Sequence, residues 1–184
     1  MAAYHGHEAQ LTNDTALNVA ALLKEPVGST RTYRLHLDTF PLSEDLSAAD
    51  VNGRLKLTRL KESVMASVRA SGIADLECVR CLGVYQQPFT TAFDEEFHQT
   101  VDLRTGVALA PDVPVEQDMS TINENHELDV GEVLRQEILI ALPMRPDCGA
   151  ACPGPAATEA GEAGGGDERF AALSQLLNDE GAPS

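Results

Sequence analysis

The chain has no tryptophan, and aromatic residues make up only 4% of its 184 positions. Its core must be built from Leu, Val, Ile and Ala, and a platform that stacks single-stranded bases has too few rings. No apolar run approaches the roughly 20 residues of a membrane-spanning helix. The longest, Ile138-Leu139-Ile140-Ala141-Leu142, fits a buried helix. The opening residues, Met1-Ala2-Ala3-Tyr4-His5-Gly6-His7-Glu8, lack the basic and apolar regions of a secretory signal. A cytoplasmic protein with no membrane partner is expected. Positive charge is scarce: 13 Lys and Arg face 29 Asp and Glu, a net charge of −16. Such a chain repels phosphate backbones at long range, so DNA is not an expected partner and any RNA contact needs a local patch or a bridging protein. Nucleophile elbow, phosphate loop, metalloprotease helix and calcium-loop spacing are all missing, and no enzyme is expected.

Cysteine is limited to four residues, in two close pairs: Cys78-Val79-Arg80-Cys81 and Cys148-Gly149-Ala150-Ala151-Cys152. The pairs are separated by 66 residues. That pattern can present four thiolates to one tetrahedral ion, and thiolate is the ligand zinc takes in structural sites. In a reducing cytoplasm metal ligands or free thiols are the ordinary state. Four reduced structural thiols, or a disulfide inducible within a pair, are the alternatives. A thioredoxin-like role is disfavoured, because its Cys-x-x-Cys opens a helix whereas this one lies between apparent strands. His36, His98 and His126 show no paired spacing; His98 is the one considered within reach of a metal.

The charge is unevenly spread. Residues 1–93 hold nine bases against ten acids, whereas 94–132 hold eleven acids and one base, Arg104. Arg54, Lys56, Arg59 and Lys61 are four bases in eight residues without an acid. They are either a solvated strand face or a strip contacting RNA phosphate, helped by Arg69 or Arg80 if the next hairpin folds over it.

Alternation predicts strands at Arg31–Leu37 and Val51–Thr58, the latter with Val51, Leu55 and Leu57 inward and Arg54, Lys56 and Thr58 outward. Further strands are expected at Ser63–Ala70, then after a Ser71-Gly72 turn at Ile73–Cys78, and at Tyr85–Thr91. Cys78 and Cys81 then straddle a hairpin tip. Phe93, Phe97 and Val101 mark a further extended or mixed segment, and Pro41–Asp50 reads as a polar, acidic loop. Ala16–Leu23 has helical spacing. Asp129-Val130-Gly131-Glu132 has the capping-box pattern and opens a helix that Pro143 stops. The expected fold is α+β: an antiparallel β-sheet core over 31–101, a packed amphipathic helix at 129–142, and short terminal helices. One domain spans 1–153, with an acidic loop at 102–124. A flexible linker at 154–166 and a short helix and tail at 167–184 follow, with Phe170, Leu173 and Leu177 on one helical face.

Leu76-Glu77-Cys78-Val79-Arg80-Cys81-Leu82 resembles the Cys-x-Arg-Cys-Leu signature of the YceD-like family, the large-ribosomal-RNA-subunit accumulation proteins. Leu128 to Pro143 resembles that family's capped-helix block, Val51 to Arg59 its strand block, and Asp167 to Leu177 its closing segment. Many members carry further Cys, Gly and Asn after the fourth cysteine, where this chain has Pro153-Gly154-Pro155. The resemblance implies a non-catalytic protein that sustains 23S rRNA or the large-subunit particle, metal-binding and nucleic-acid-binding in character. Its partner would be large-subunit rRNA or a pre-ribosomal particle. The other reading is an acidic adaptor that docks on a basic ribosomal or assembly protein without touching RNA.

Overall fold

The computed structural model describes residues 9–102, 105–109 and 120–155. Its frame is a meander of four long strands, β3 (Thr30–Pro41), β4 (Ser47–Arg59), β5 (Ser63–Glu77) and β6 (Val84–Gln99), each antiparallel to the next. Two short parallel strands extend it: β1 (Ala9–Thr12) beside β3 and β7 (Thr121–Ile122) beside β6. The sheet order is therefore β1-β3-β4-β5-β6-β7. A second, two-stranded sheet pairs β2 (Ala16–Asn18) with β8 (Glu127–Asp129). The helices are α1 (Ala20–Leu23) and α2 (Gly131–Ala141).

The expected α+β core is corrected by these proportions. Strand accounts for 52% of the described residues and helix for 12%, so the described fold is mostly β, a curled six-stranded sheet with two helices among the described residues. The periodicity signal at Ala16–Leu23 misled because β2 and α1 share it. Leu17 enters a strand opposite Leu128, and Asn18 Oδ1 then accepts the Ala20 N–H at 3.0 Å to turn the chain into a single helical turn. The Ser71-Gly72 turn does not form either. β5 runs straight through it, paired with Thr90 and Phe89 of β6. Gly72 is there for close approach: a Cβ would stand 2.9 Å from the Phe89 ring and 3.1 Å from the Ala49 carbonyl. The irregularity falls instead on β4, where the register shifts between Ala49 and Asn52. The anticipated 41–50 loop shrinks accordingly, since β4 begins at Ser47.

One face of the sheet carries the core. Leu35, Val51, Leu55, Leu57, Val64 and Val68 alternate inward as the pleat demands. α2 lies against β6 and buries Leu134 and Ile138 completely, each contributing about 1.5–3 kcal/mol. Val130 already has helical dihedrals (φ −89°, ψ −2°), and Asp129 does the capping: its Oδ1 accepts the Gly131 N–H at 2.8 Å. The box is not completed, because Glu132 turns to Arg135 and Gln136. Most of the 102–124 loop, most of the 154–166 linker and the whole 167–184 segment lie outside the described residues. Among the described residues no helix is long and apolar enough to cross a membrane.

Candidate functional site

β5 and β6 end in the tip that holds the first cysteine pair. The Cys78 N–H donates to the Gly83 carbonyl at 2.9 Å and the Leu82 N–H to the Cys78 carbonyl at 2.9 Å, which closes the turn. Leu82 takes a left-handed φ of 58° to make it. The second pair is delivered by the segment after α2. Pro143 forbids further helix, and the Val79 N–H then donates to the Pro146 carbonyl at 3.0 Å, seating that segment on the tip. Asp147 fixes the approach: one oxygen accepts the Gly149 N–H at 2.8 Å and the other faces the Arg80 guanidinium at 3.4 Å. The Gly149 N–H, followed by Arg80, holds the Asp147 carboxyl below its usual range.

The four sulfurs meet. Cys78 Sγ lies 3.8 Å from Cys152 Sγ, Cys81 Sγ lies 3.7 Å from Cys148 Sγ, and all four fall within 4.8 Å of one another. None is in a disulfide. Zn–S bonds of about 2.3 Å give a tetrahedron with an edge of about 3.8 Å, and both close contacts have that length. Cys78 is fully buried and the other three are partly so.

The electrostatics show what the cluster lacks by itself. The N–H groups of Cys148, Cys81 and Arg80 point at Cys78 and lower its thiol pKa to about 6. Cys148 is pushed up to about 12 by the Cys152 thiol, by burial and by its other sulfur neighbours. At Cys81 the Gly83 N–H pulls downward, but burial and the Cys78 and Cys152 thiols outweigh it and the result is a rise. Backbone dipoles support one thiolate; further ionisation meets like charge at close range. A divalent cation among four sulfurs would remove that penalty. His98 is not part of this cluster, since it lies at the far end of β6 beside β7.

The outward face of the sheet is the second candidate surface. Arg54 and Lys56 stand on it as the alternation predicts, both exposed. Arg59 and Lys61 do not extend the same strip. Arg59 is half-buried on the opposite face, where it donates to the Glu25 carbonyl, and among the described residues its Nε has no hydrogen-bond partner. Lys61 sits in the β4–β5 turn, 3.3 Å from Glu62. Together with Lys24, Glu62 and Asp102 these two line a separate cleft of mixed charge.

What register adds runs across the strands. Arg34 of β3 is directly opposite Arg54 of β4, which is directly opposite Arg69 of β5. Strands lie about 4.8 Å apart, so the three arginines form a row about 10 Å wide, and Lys56 stands about 7 Å further along β4. The row ends at Ala92 on β6; acid begins with Asp94, opposite Ser67. In the sequence Arg34 stands only as a polar residue between Tyr33 and Leu35. Nothing local in the sequence aligns it with Arg54 and Arg69.

The family described as large ribosomal RNA subunit accumulation protein YceD matches residues 66–177, more than half of the chain and a stretch that holds all four cysteines. No curated protein and no solved structure matches.

Proposed function

The chain belongs to the YceD family, and from that membership we propose that it is a non-catalytic cytoplasmic factor that supports accumulation of large-subunit rRNA. Its contact with the RNA, or with the pre-ribosomal particle, is the outward row Arg34, Arg54 and Arg69 with Lys56. The observation that carries this is the register. Three guanidinium groups side by side on neighbouring strands, with Lys56 beside them, offer a polyanion several phosphate contacts at once. The acids that begin at Asp94 border the patch and limit indiscriminate phosphate binding in a chain of charge −16.

The thiol cluster serves this reading as a structural clamp. Cys78, Cys81, Cys148 and Cys152 suit tetrahedral zinc by donor type and spacing, and four sulfurs would leave no open position for a substrate. The metal would fasten the exit of α2 to the β5–β6 tip.

The test is RNA binding against salt concentration, with Arg54→Glu/Arg69→Glu beside the parent chain on a large-subunit rRNA fragment. Affinity should fall with salt for both. Losing two phosphate contacts should flatten the log–log slope by about 1.4–1.8. A folded double variant with an unchanged slope, in cells whose large-subunit rRNA level is also unchanged, makes the row a solvated face. The adaptor reading, an acidic surface on a basic ribosomal or assembly protein, then replaces it.

A further inference from the structure

We propose that residues 167–177 of this chain dock as a short amphipathic helix in the apolar cleft at the end of α2. The inference stands apart from the RNA-binding reading. The cleft, about 410 Å³, is lined by Leu46, Leu76, Leu139, Ile140, Leu142 and Met144 among others. Ile140 is 75% exposed and Met144 is fully exposed. Two large apolar side chains standing in water at one site of a strongly charged protein mark a surface that something covers.

The chain itself supplies the occupant. Phe170, Leu173 and Leu177 recur at the i, i+3, i+7 spacing of a helix that lies in a groove, behind Asp167 as a helix-start residue. Of the five phenylalanines, Phe40, Phe89, Phe93 and Phe97 all pack in or on the core, and Phe170 is the fifth, outside the described residues. The tether fits as well. The thiol cluster holds Cys152 beside Cys78, two residues or about 7 Å along the strand from Leu76 in the cleft wall. The fourteen residues from Pro153 to Gly166 are rich in Gly, Ala and Pro. A flexible chain of that length spans about 20 Å root-mean-square. The segment is therefore presented to the cleft at millimolar effective concentration, which a competing foreign helix would have to overcome.

Charge agrees. Asp167 and Glu168 precede the apolar stripe, and Arg145 sits between Met144 and Pro146 of the cleft wall. The family match also runs to residue 177, the last leucine of the stripe, so the segment belongs to the same sequence pattern as the sheet and the thiols.

Methyl-labelled methionine NMR on the full chain tests this, because Met144 lines the cleft and Met65 on β5 reports the fold. The Met144 methyl should be displaced from its free-residue position by the Phe170 ring. Phe170→Ala, and separately Leu173→Asp, should return it toward that position while the Met65 methyl stays put. Neither residue belongs to the described core, so both variants should fold. Tenfold dilution should change nothing. A Met144 methyl already at the free position overturns the proposal and leaves the cleft to another protein. A methyl unmoved by the variants overturns it too, and one that moves on dilution gives the cleft to a second copy.

Discussion

At the scale of single residues, the hydrogen on the Gly53 α-carbon is where the sheet is drawn tightest. A methyl there would meet the Arg69 carbonyl at 2.6 Å, a backbone atom that cannot swing away. Gly53→Ala should therefore destabilise the protein by about 1–3 kcal/mol, as overpacking does, read from the urea midpoint at unchanged m. A loss below about 0.5 kcal/mol, the ordinary range of a surface change, would mean that β4 and β5 simply separate to admit it. His36 makes a second test. Its Nδ1 lies 2.8 Å from Asn52 Oδ1 and its Nε2 3.0 Å from Asp38 Oδ1, so both ring nitrogens face acceptors. The Asn52 contact first, then Asp38, raises its pKa above 6.5 despite partial burial. A raised folded pKa stabilises fully below the unfolded value and loses that contribution as pH rises through the folded one. The stability gap between the parent chain and His36→Gln should thus shrink from pH 6 to pH 8 in urea melts. A constant gap would show that the ring is held neutral. Neither residue was readable in these roles from sequence. Gly53 reads like any strand glycine and His36 like any surface histidine, because what defines Gly53 is the Arg69 carbonyl on β5 and what defines His36 is Asn52 on β4, sixteen residues away.

At the scale of elements, α2 depends on its first turn. Asp129 accepts both the Gly131 N–H and the Thr15 hydroxyl, the latter at 2.7 Å, so one carboxylate caps the helix and ties it to the start of β2. Asp129→Ala should cost about 0.5–2 kcal/mol, and more than Thr15→Ala, which leaves the cap in place. Equal losses in thermal melts would assign the whole effect to the tie. This helix was legible because cap, stripe and Pro143 stop all lie within sixteen residues. The strands were legible in alternation but not in length. β5 and β6 were each cut short, one at Ser71-Gly72 and the other around Thr91–Phe93. Local turn chemistry at Ser-Gly is overruled once Phe89 packs over Gly72 and the ladder continues on both sides.

At the scale of the whole molecule, the apolar core and the thiol cluster are separable. None of the four cysteines belongs to the main hydrophobic cluster, which joins the sheet's inner face to α2. Zinc removal should therefore loosen the tip without unfolding the chain, unlike small fingers that fold only around metal. Protein prepared without chelator should carry one zinc per chain by elemental analysis, and Cys78→Ser/Cys148→Ser should carry none. Chelation should lower the thermal midpoint, with strand circular dichroism retained and hydrogen-exchange protection lost at Val79 and around Cys148. Absence of stoichiometric metal would return the site to four free thiols. The meeting of the two pairs was foreseeable from their spacing and from the hairpin tip that carries the first. Their cross-pairing, Cys78 with Cys152 and Cys81 with Cys148, was not. Nor was the arginine row, because register is set by turns and bulges many residues away from the side chains it aligns.

The short outer strands have one more consequence. Among the described residues β7 pairs only with His98 and Gln99, and no other described strand pairs with that edge of the sixteen-residue β6. Pro88 of β6 has no N–H to donate, and the run Asp94-Glu95-Glu96 adds clustered negative charge to the same strand. Proline and clustered like charge are what discourage one extended chain from templating another. The acidity of this protein thus acts at close range as well: it discourages neighbouring copies from pairing edge to edge.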